Sequence, residues 1–326
     1  MNGKVMLRTL GLSFLLIGLS GAVQAQDINK AREAFNKALE MQTSDVETAI
    51  TSVKECLDIC GQIGEDADDI RMRAELKLPE LYVNAGNQLV KAKKYPDAIS
   101  AFEEALKVAD EYNNELAGDK AKSMLPQLHY VIGGGLYKRN NFVDAMSSFQ
   151  KAISINPDYA KAYYYMGLTY KKQKNLAEFE SSMDKGLVAA KNSRDNNHLN
   201  KIKNAGTSTF LSAGAKAVTD GKPAEGIALL EKALKYNSKN ADIYFYIGTA
   251  NIEQKQWDKA IEASNNGLNY EKDDPEKKAK HYFNLGLAYK GKGDKNSACT
   301  AFNNALYGQF KANAQYEIDT ELKCNE

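Results

Sequence analysis

Tyr163-Tyr164-Tyr165-Met166-Gly167-Leu168-Thr169-Tyr170 and Tyr282-Phe283-Asn284-Leu285-Gly286-Leu287-Ala288-Tyr289 are one phrase written twice. In each, a tyrosine stands four residues before the glycine, a large aliphatic residue just before it and a tyrosine three residues after it. Residues three and four apart share a helix face. The phrase therefore reads as a helix that buries a ridge and keeps a glycine for a close neighbour. The glycine returns at Gly86, Gly133, Gly167, Gly214, Gly248 and Gly286, at intervals of 47, 34, 47, 34 and 38 residues. Twelve residues after each stand Ala98, Ala145, Phe179, Gly226, Ala260 and Ala298. Four further on are Phe102, Phe149, Met183, Leu230, Ser264 and Phe302, and three beyond those Ala105, Ala152, Gly186, Ala233, Gly267 and Ala305. Small residues let two helices approach, and the larger one fills the space between them.

Breakers and polar residues separate the two helical stretches of each unit: Lys94-Tyr95-Pro96-Asp97, Arg139-Asn140-Asn141, Asp220-Gly221-Lys222-Pro223 and Gly291-Lys292-Gly293-Asp294. The repeated object is a pair of helices. Tyr163-x2-Met166-Gly167-x2-Tyr170 and Tyr282-x2-Leu285-Gly286-x2-Tyr289 match a Trp-x2-Leu-Gly-x2-Tyr core with conservative exchanges, and Asn156-Pro157 supplies a unit-ending proline. On these residues the sequence resembles the tetratricopeptide repeat family over residues 66–310. The unit at Gly214 departs most, with Ala217 in the second tyrosine position and Gly226 in place of alanine. The resemblance implies an all-α, right-handed α-solenoid of antiparallel helix pairs. It would have about six recognisable repeats, a degenerate helical hairpin at 26–65 and a capping helix at 311–326. In the cap, Ala314, Ile318 and Leu322 face inward.

Two intervals exceed 34 by 13 residues and the last exceeds it by 4. The added stretches, Glu115 to Leu125 and Arg194 to Gly206, keep a helical period, and so does Asp66 to Leu78. They read as N-terminal extensions of the first helix of alternate units. Pro79 and Pro126 lie seven residues before their glycines, where each either kinks an extended helix or begins a new one.

Residues 1–25 read as a secretory signal. Lys4 and Arg8 precede an apolar run from Thr9 to Ala22, and Val23-Gln24-Ala25 offers small residues at a cleavage point. The run is short for a membrane span. The expectation is an exported chain, periplasmic or secreted, cut after Ala25 and left without a transmembrane span. Among 326 residues, 43 Lys and Arg stand against 42 Asp and Glu, a formal charge of +1 that argues against nucleic-acid binding. A hydrophobic share of 43% allows a core. A mean hydropathy of −0.51 excludes a polytopic membrane protein.

Catalytic chemistry finds little material. His129, His198 and His281 are far apart, and His129 fills an aromatic packing position. Ser148 and Lys151 form an isolated Ser-x-x-Lys on a second helix, without companion motifs. Gly133-Gly134-Gly135 continues a helical run and is not a phosphate loop. No cofactor, metal site or catalytic residue is expected. Cys299 and Cys324 fall on the last repeat helix and at the end of the cap; a bridge would staple the cap, with reach depending on geometry the sequence does not give. Cys56 and Cys60 share one helix face as small buried groups.

The resemblance implies that first helices line a groove, through residues three before, one after and four after each glycine. Asn87, Tyr130, Tyr137, Tyr164, Leu168, Lys171, Phe245 and Phe283 fall there, with Lys161 and Lys280 one turn earlier. The expected function is a non-enzymatic scaffold or adaptor. It would bind protein or peptide segments along this aromatic, lysine-edged surface, in cell-envelope assembly or secretion. The alternative is a glycan- or small-molecule-binding solenoid, given 18 tyrosines. The oligomeric state is not legible.

Overall fold

The computed structural model describes residues 27–324. The signal segment and its cleavage point lie outside the described residues. The described chain is all-α. It contains α1 (residues 27–41), α2 (Val46–Ile63), α3 (Asp68–Lys91), α4 (Tyr95–Glu111), α5 (Glu115–Lys138), α6 (Phe142–Ile155) and α7 (Ala160–Lys172). There follow α8 (Leu176–Asn192), α9 (Asn196–Thr219), α10 (Pro223–Tyr236), α11 (Ala241–Glu253), α12 (Trp257–Tyr270), α13 (Pro275–Lys292), α14 (Lys295–Asn304) and α15 (Lys311–Tyr316). The chain divides into two compact units inside α7, one ending at Ala162 and the other starting at Tyr163.

In the first unit each helix from α2 to α6 packs on the next, and α3 also touches α5. In the second the same holds from α8 to α14, with α9 touching α11 and α11 touching α13. This is the pattern of stacked helix pairs whose first helices lie side by side. Helix lengths fall into long and short classes. The first helices α3, α5 and α9 have 24 residues each, whereas α7 and α11 have 13 and α13 has 18. Second helices follow suit: α4 and α8, which precede 24-residue partners, have 17 residues, and α6, α10 and α12 have 14.

Pro79 and Pro126 neither end nor restart a helix; both are buried inside continuous ones. Their position is informative. Seven residues before the glycine is where α7 and α11 begin, at Ala160 and Ala241. Proline is well tolerated at a first helical position, where its missing N–H has no intrahelical partner anyway. The long helices thus read as a short first helix with a further stretch fused ahead of a proline that marks the old start.

The glycine column works as contact. A Cβ on Gly133 would stand 2.6 Å from the Phe149 ring, and one on Gly286 would stand 2.5 Å from Phe302. Phe102, Phe149 and Phe302 are 0% exposed. Hairpin turns follow a common recipe: a residue of positive φ, then the cap of the next helix. Asn140, Lys174, Lys255 and Gly293 hold φ of 60°, 59°, 57° and 79°. Asn141, Asn175 and Asp294 then accept from the backbone N–H three residues on.

The C-terminus closes the second unit. Ala314 and Ile318 are buried with Ala298, Phe302 and Ala305. A wider final turn, Glu317–Glu321, follows α15. Cys299 and Cys324 are bonded, with Cα atoms 5.7 Å apart.

Candidate functional site

The first unit carries Asn87 on α3, Tyr130 and Tyr137 on α5, and Lys161 at the start of α7. Asn87 is exposed, and the other three are half-buried. Tyr130 lies 6.3 Å from the Phe149 ring and 5.9 Å from Tyr159, edge-on. The Lys161 ammonium sits 5.8 Å from the Tyr130 ring centre, a cation–π contact. Tyr137 leans on Phe142 at 5.9 Å. These rings do two things at once. One side packs on the same chain, and each ring remains partly exposed.

In the second unit, α7 supplies Tyr164, Leu168 and Lys171. Tyr164 and Leu168 are half-buried, and Lys171 is exposed. Tyr164 packs edge-on against His198 at 6.2 Å. Further along, Phe245 on α11 and Phe283 on α13 are half-buried and do not form an open trough. Phe310 from the segment before α15 lies against both, at 6.1 and 5.5 Å.

The lysine edge differs from the sequence expectation at this end. Lys280 pairs with Asp242, and with Glu271 at 2.8 Å. Burial alone would raise the Glu271 carboxyl, but the Lys280 hydrogen bond overrides it and holds the group below the usual carboxylate range. Lys290 pairs with Glu317 at 2.6 Å and Glu321 at 3.2 Å. Lys280 is thus part of an internal network and not a loose rim charge.

Beside Lys280, His281 is 0% exposed, and neither ring nitrogen has a hydrogen-bond partner among the described residues. Burial, followed by the neighbouring Lys280 charge, pushes its pKa down to about 4. Asn284 is also buried and donates from Nδ2 to the Phe245 carbonyl oxygen at 3.0 Å and to Thr249 Oγ1 at 3.1 Å.

A second concave feature lies on another face of α11. A cleft of about 470 Å³ between α10, α11 and α12 is lined by Tyr244, Asn251, Gln254, Gln256, Glu231 and Glu262, among others. Gln254 Nε2 is buried there with no hydrogen-bond partner among the described residues. From residue spacing, this face lies about 150° round α11 from the Phe245–Thr249–Ile252 line.

Cys56 and Cys60 are fully buried thiols with sulfurs 4.0 Å apart. Burial, aided by the Cys60 neighbour, pushes Cys56 up to about 12, which keeps it a thiol. Ser148 Oγ donates to the Asp144 carbonyl oxygen. No group of three or more His, Cys, Asp or Glu among the described residues is placed to hold a metal ion. No described helix is long and apolar enough to cross a membrane.

Phe310, Asn284 and the carboxylates of Glu317 and Glu321 were not legible as parts of this surface. A signal existed in Tyr307-Gly308-Gln309-Phe310, a glycine beside two aromatics just after the last repeat helix.

Three segments match family profiles described as TPR repeat (residues 135–174) and tetratricopeptide repeat (217–279 and 279–307). No curated protein sequence matches the chain. Among solved structures, MamA is 21% identical over 61% of this chain and 97% of its own, with a TM-score of 0.35. YrrB, described as a TPR protein with an unusual peptide-binding site, is 19% identical over 61% and 89%, at 0.33. A tetratricopeptide repeat protein from Parabacteroides merdae is 14% identical over 91% and 100%, at 0.30.

Proposed function

This chain belongs to the tetratricopeptide repeat family, and from that premise we propose that it is an exported, non-enzymatic scaffold that holds segments of partner proteins against its first helices. The observation that carries the reading is the set of half-buried aromatic and aliphatic side chains on the first helices of each unit taken by itself: Tyr130 and Tyr137 in one, Tyr164 and Leu168 in the other. Aromatic side chains bring large contact area at little conformational cost and are frequent anchors in interfaces. The export part rests on Lys4, Arg8 and the apolar run that ends before Ala25. It predicts a role among envelope or secreted proteins.

Photo-crosslinking residues placed at Tyr164 and Leu168 test the first part, with Val188, 59% exposed, as the control position. Defined partner adducts at the two stripe positions and none at the control are expected. Equal labelling at all three would overturn the reading. Export is tested by N-terminal sequencing of the mature chain. It should begin at Gln26, and an intact Met1 in the cytosol would refute it.

One observation favours a second reading, a hydroxyl-rich small molecule or glycan in the cleft of α10, α11 and α12. Gln254 Nε2 offers a donor there that nothing among the described residues satisfies, and buried donors are seldom left so. A sugar panel read by thermal shift, repeated on Gln254→Leu, separates the two readings.

A further inference from the structure

The surface made by Phe245 and Phe283 already has an occupant, and the occupant is the chain's own C-terminal segment. Phe310 meets Phe245 edge-on, at 6.1 Å and 73°, and Phe283 at 5.5 Å and 39°. Both distances fall in the range where aromatic pairs attract beyond simple burial. The two receiving rings come from successive first helices, α11 and α13, so one side chain bridges two repeats.

The approach of this segment is built in. After α14 the backbone runs extended through Tyr307, with φ −131° and ψ 152°. It then turns at Gly308, with φ +51°, where a Cβ would come within 2.7 Å of Glu276 Cγ on α13. A side chain at 308 would be strained both by that conformation and by that contact. One short turn, Gly308–Phe310, then sets the ring down. Beyond it, the Lys290 pairs with Glu317 and Glu321 and the Cys299–Cys324 bond hold the far end.

Phe310 extends the terminal core outward, since Phe283 leans on Phe302 at 5.6 Å and Phe310 on Phe283 at 5.5 Å. Ala314 and Ile318, 0% and 3% exposed, complete the buried cluster over Phe302. Phe310 is only half-buried and reaches past α13 to α11. It covers a surface beyond the closed cluster, on two successive first helices.

We infer that the Phe245–Phe283 surface is a docking site for a peptide segment bearing an aromatic residue on a tight glycine turn, with Phe310 as its intramolecular occupant. The inference deepens the scaffold reading and rests on it: partners of this chemistry compete with Phe310 for the second unit. The Tyr164 and Leu168 crosslinks bear on the scaffold as a whole, whereas the following experiment bears on this surface alone.

A fluorescein-labelled peptide of residues 305–312 is titrated into the full-length mature chain and read by anisotropy. Phe310→Ala should bind it at least tenfold more tightly than wild type. A peptide with alanine at the position of Phe310 should bind neither, and adding Phe245→Ala to Phe310→Ala should abolish binding. Gly308→Val, which dislodges the ring while leaving it in the chain, should bind as Phe310→Ala does and covers the case in which that variant fails to fold. The inference is overturned by equal binding to wild type and variants, by binding that ignores the peptide's phenylalanine, or by no binding to either folded variant at millimolar peptide.

Discussion

Beneath Gly286 lies the ring of Phe302, and beneath Gly248, one repeat earlier, lies the hydroxyl of Ser264, 3.1 Å from where a Cβ would stand. The α13–α14 pair closes with an aromatic filler. The α11–α12 pair closes with Ser264, which donates to the Ala260 carbonyl oxygen, and with the Asn284 amide brought in from α13. The His281 ring fills the space left by Gly267, its Cε1 2.2 Å from where a Cβ there would be. The two pairs share a backbone plan and differ in what they do with polarity. A glycine sets the helix separation, and either a large apolar group or a hydrogen-bonded set can fill it. The polar set is incomplete: among the described residues neither His281 nitrogen makes a hydrogen bond, and the Glu271 carboxylate stands 3.7 Å from Nε2. The contact between α11 and α13 also carries Phe245, against which Phe310 lies.

The contrast is broken most strongly at its apolar side. Phe302→Ala should cost about 3–5 kcal/mol by denaturant unfolding, while Ser264→Ala should cost less than about 1 kcal/mol because its hydroxyl bonds only within its own helix. Similar losses for the two would end the comparison. Next comes the covalent pin that only the later pair possesses. Replacing Cys299 and Cys324 by serine opens a loop of 25 residues' separation and should cost about 3 kcal/mol, with the gap to wild type closing under reductant.

A third test sharpens the polar side. His281 is held neutral in the fold, with its pKa near 4 against an ordinary 6.5. The unfolded chain then takes up a proton that the folded chain refuses. The group's effect is absent above pH 7 and grows as pH falls from 6.5 towards 4. Between pH 7 and pH 5 it should remove about 2 kcal/mol of stability. His281→Leu should flatten that slope, and an unchanged slope would show that another group sets it. Lys280, Glu271 and Asp242 are the charges around this ring. The smallest effect concerns the hairpin turns. Gly293 holds a left-handed φ in the later pair and Lys255 holds it in the earlier one. Lys255→Gly should stabilise by about 0.5–1 kcal/mol, whereas Gly293→Lys should destabilise by a similar amount.

Much of the fold was legible because helix packing repeats at fixed spacing. The glycines and the side chains 16 residues later meet as their columns imply, Gly133 on Phe149 and Gly286 on Phe302. The extra 13-residue stretches became helix, as their period indicated. Pro79 and Pro126 stayed ambiguous because a proline that starts one helix is compatible with a longer one fused ahead of it. The candidate surface was less legible. Tyr130 and Tyr164 could be placed by register alone. Lys280 could not be seen as paired, since Asp242 stands 38 residues away. Phe310 was hidden because its place depends on one backbone angle at Gly308, which no periodicity encodes.

The two free thiols on α2 carry a consequence for how the chain matures. Four cysteines allow three complete pairings. Only one bond, near the C-terminus, is formed here, while Cys56 and Cys60 are sealed in the core of the opening hairpin. In any oxidising medium, that hairpin must shut before the last helices are made or refolded. Otherwise its sulfurs become rivals for Cys299 and Cys324, and scrambled isomers should accumulate in proportion to the time the N-terminal core stays open.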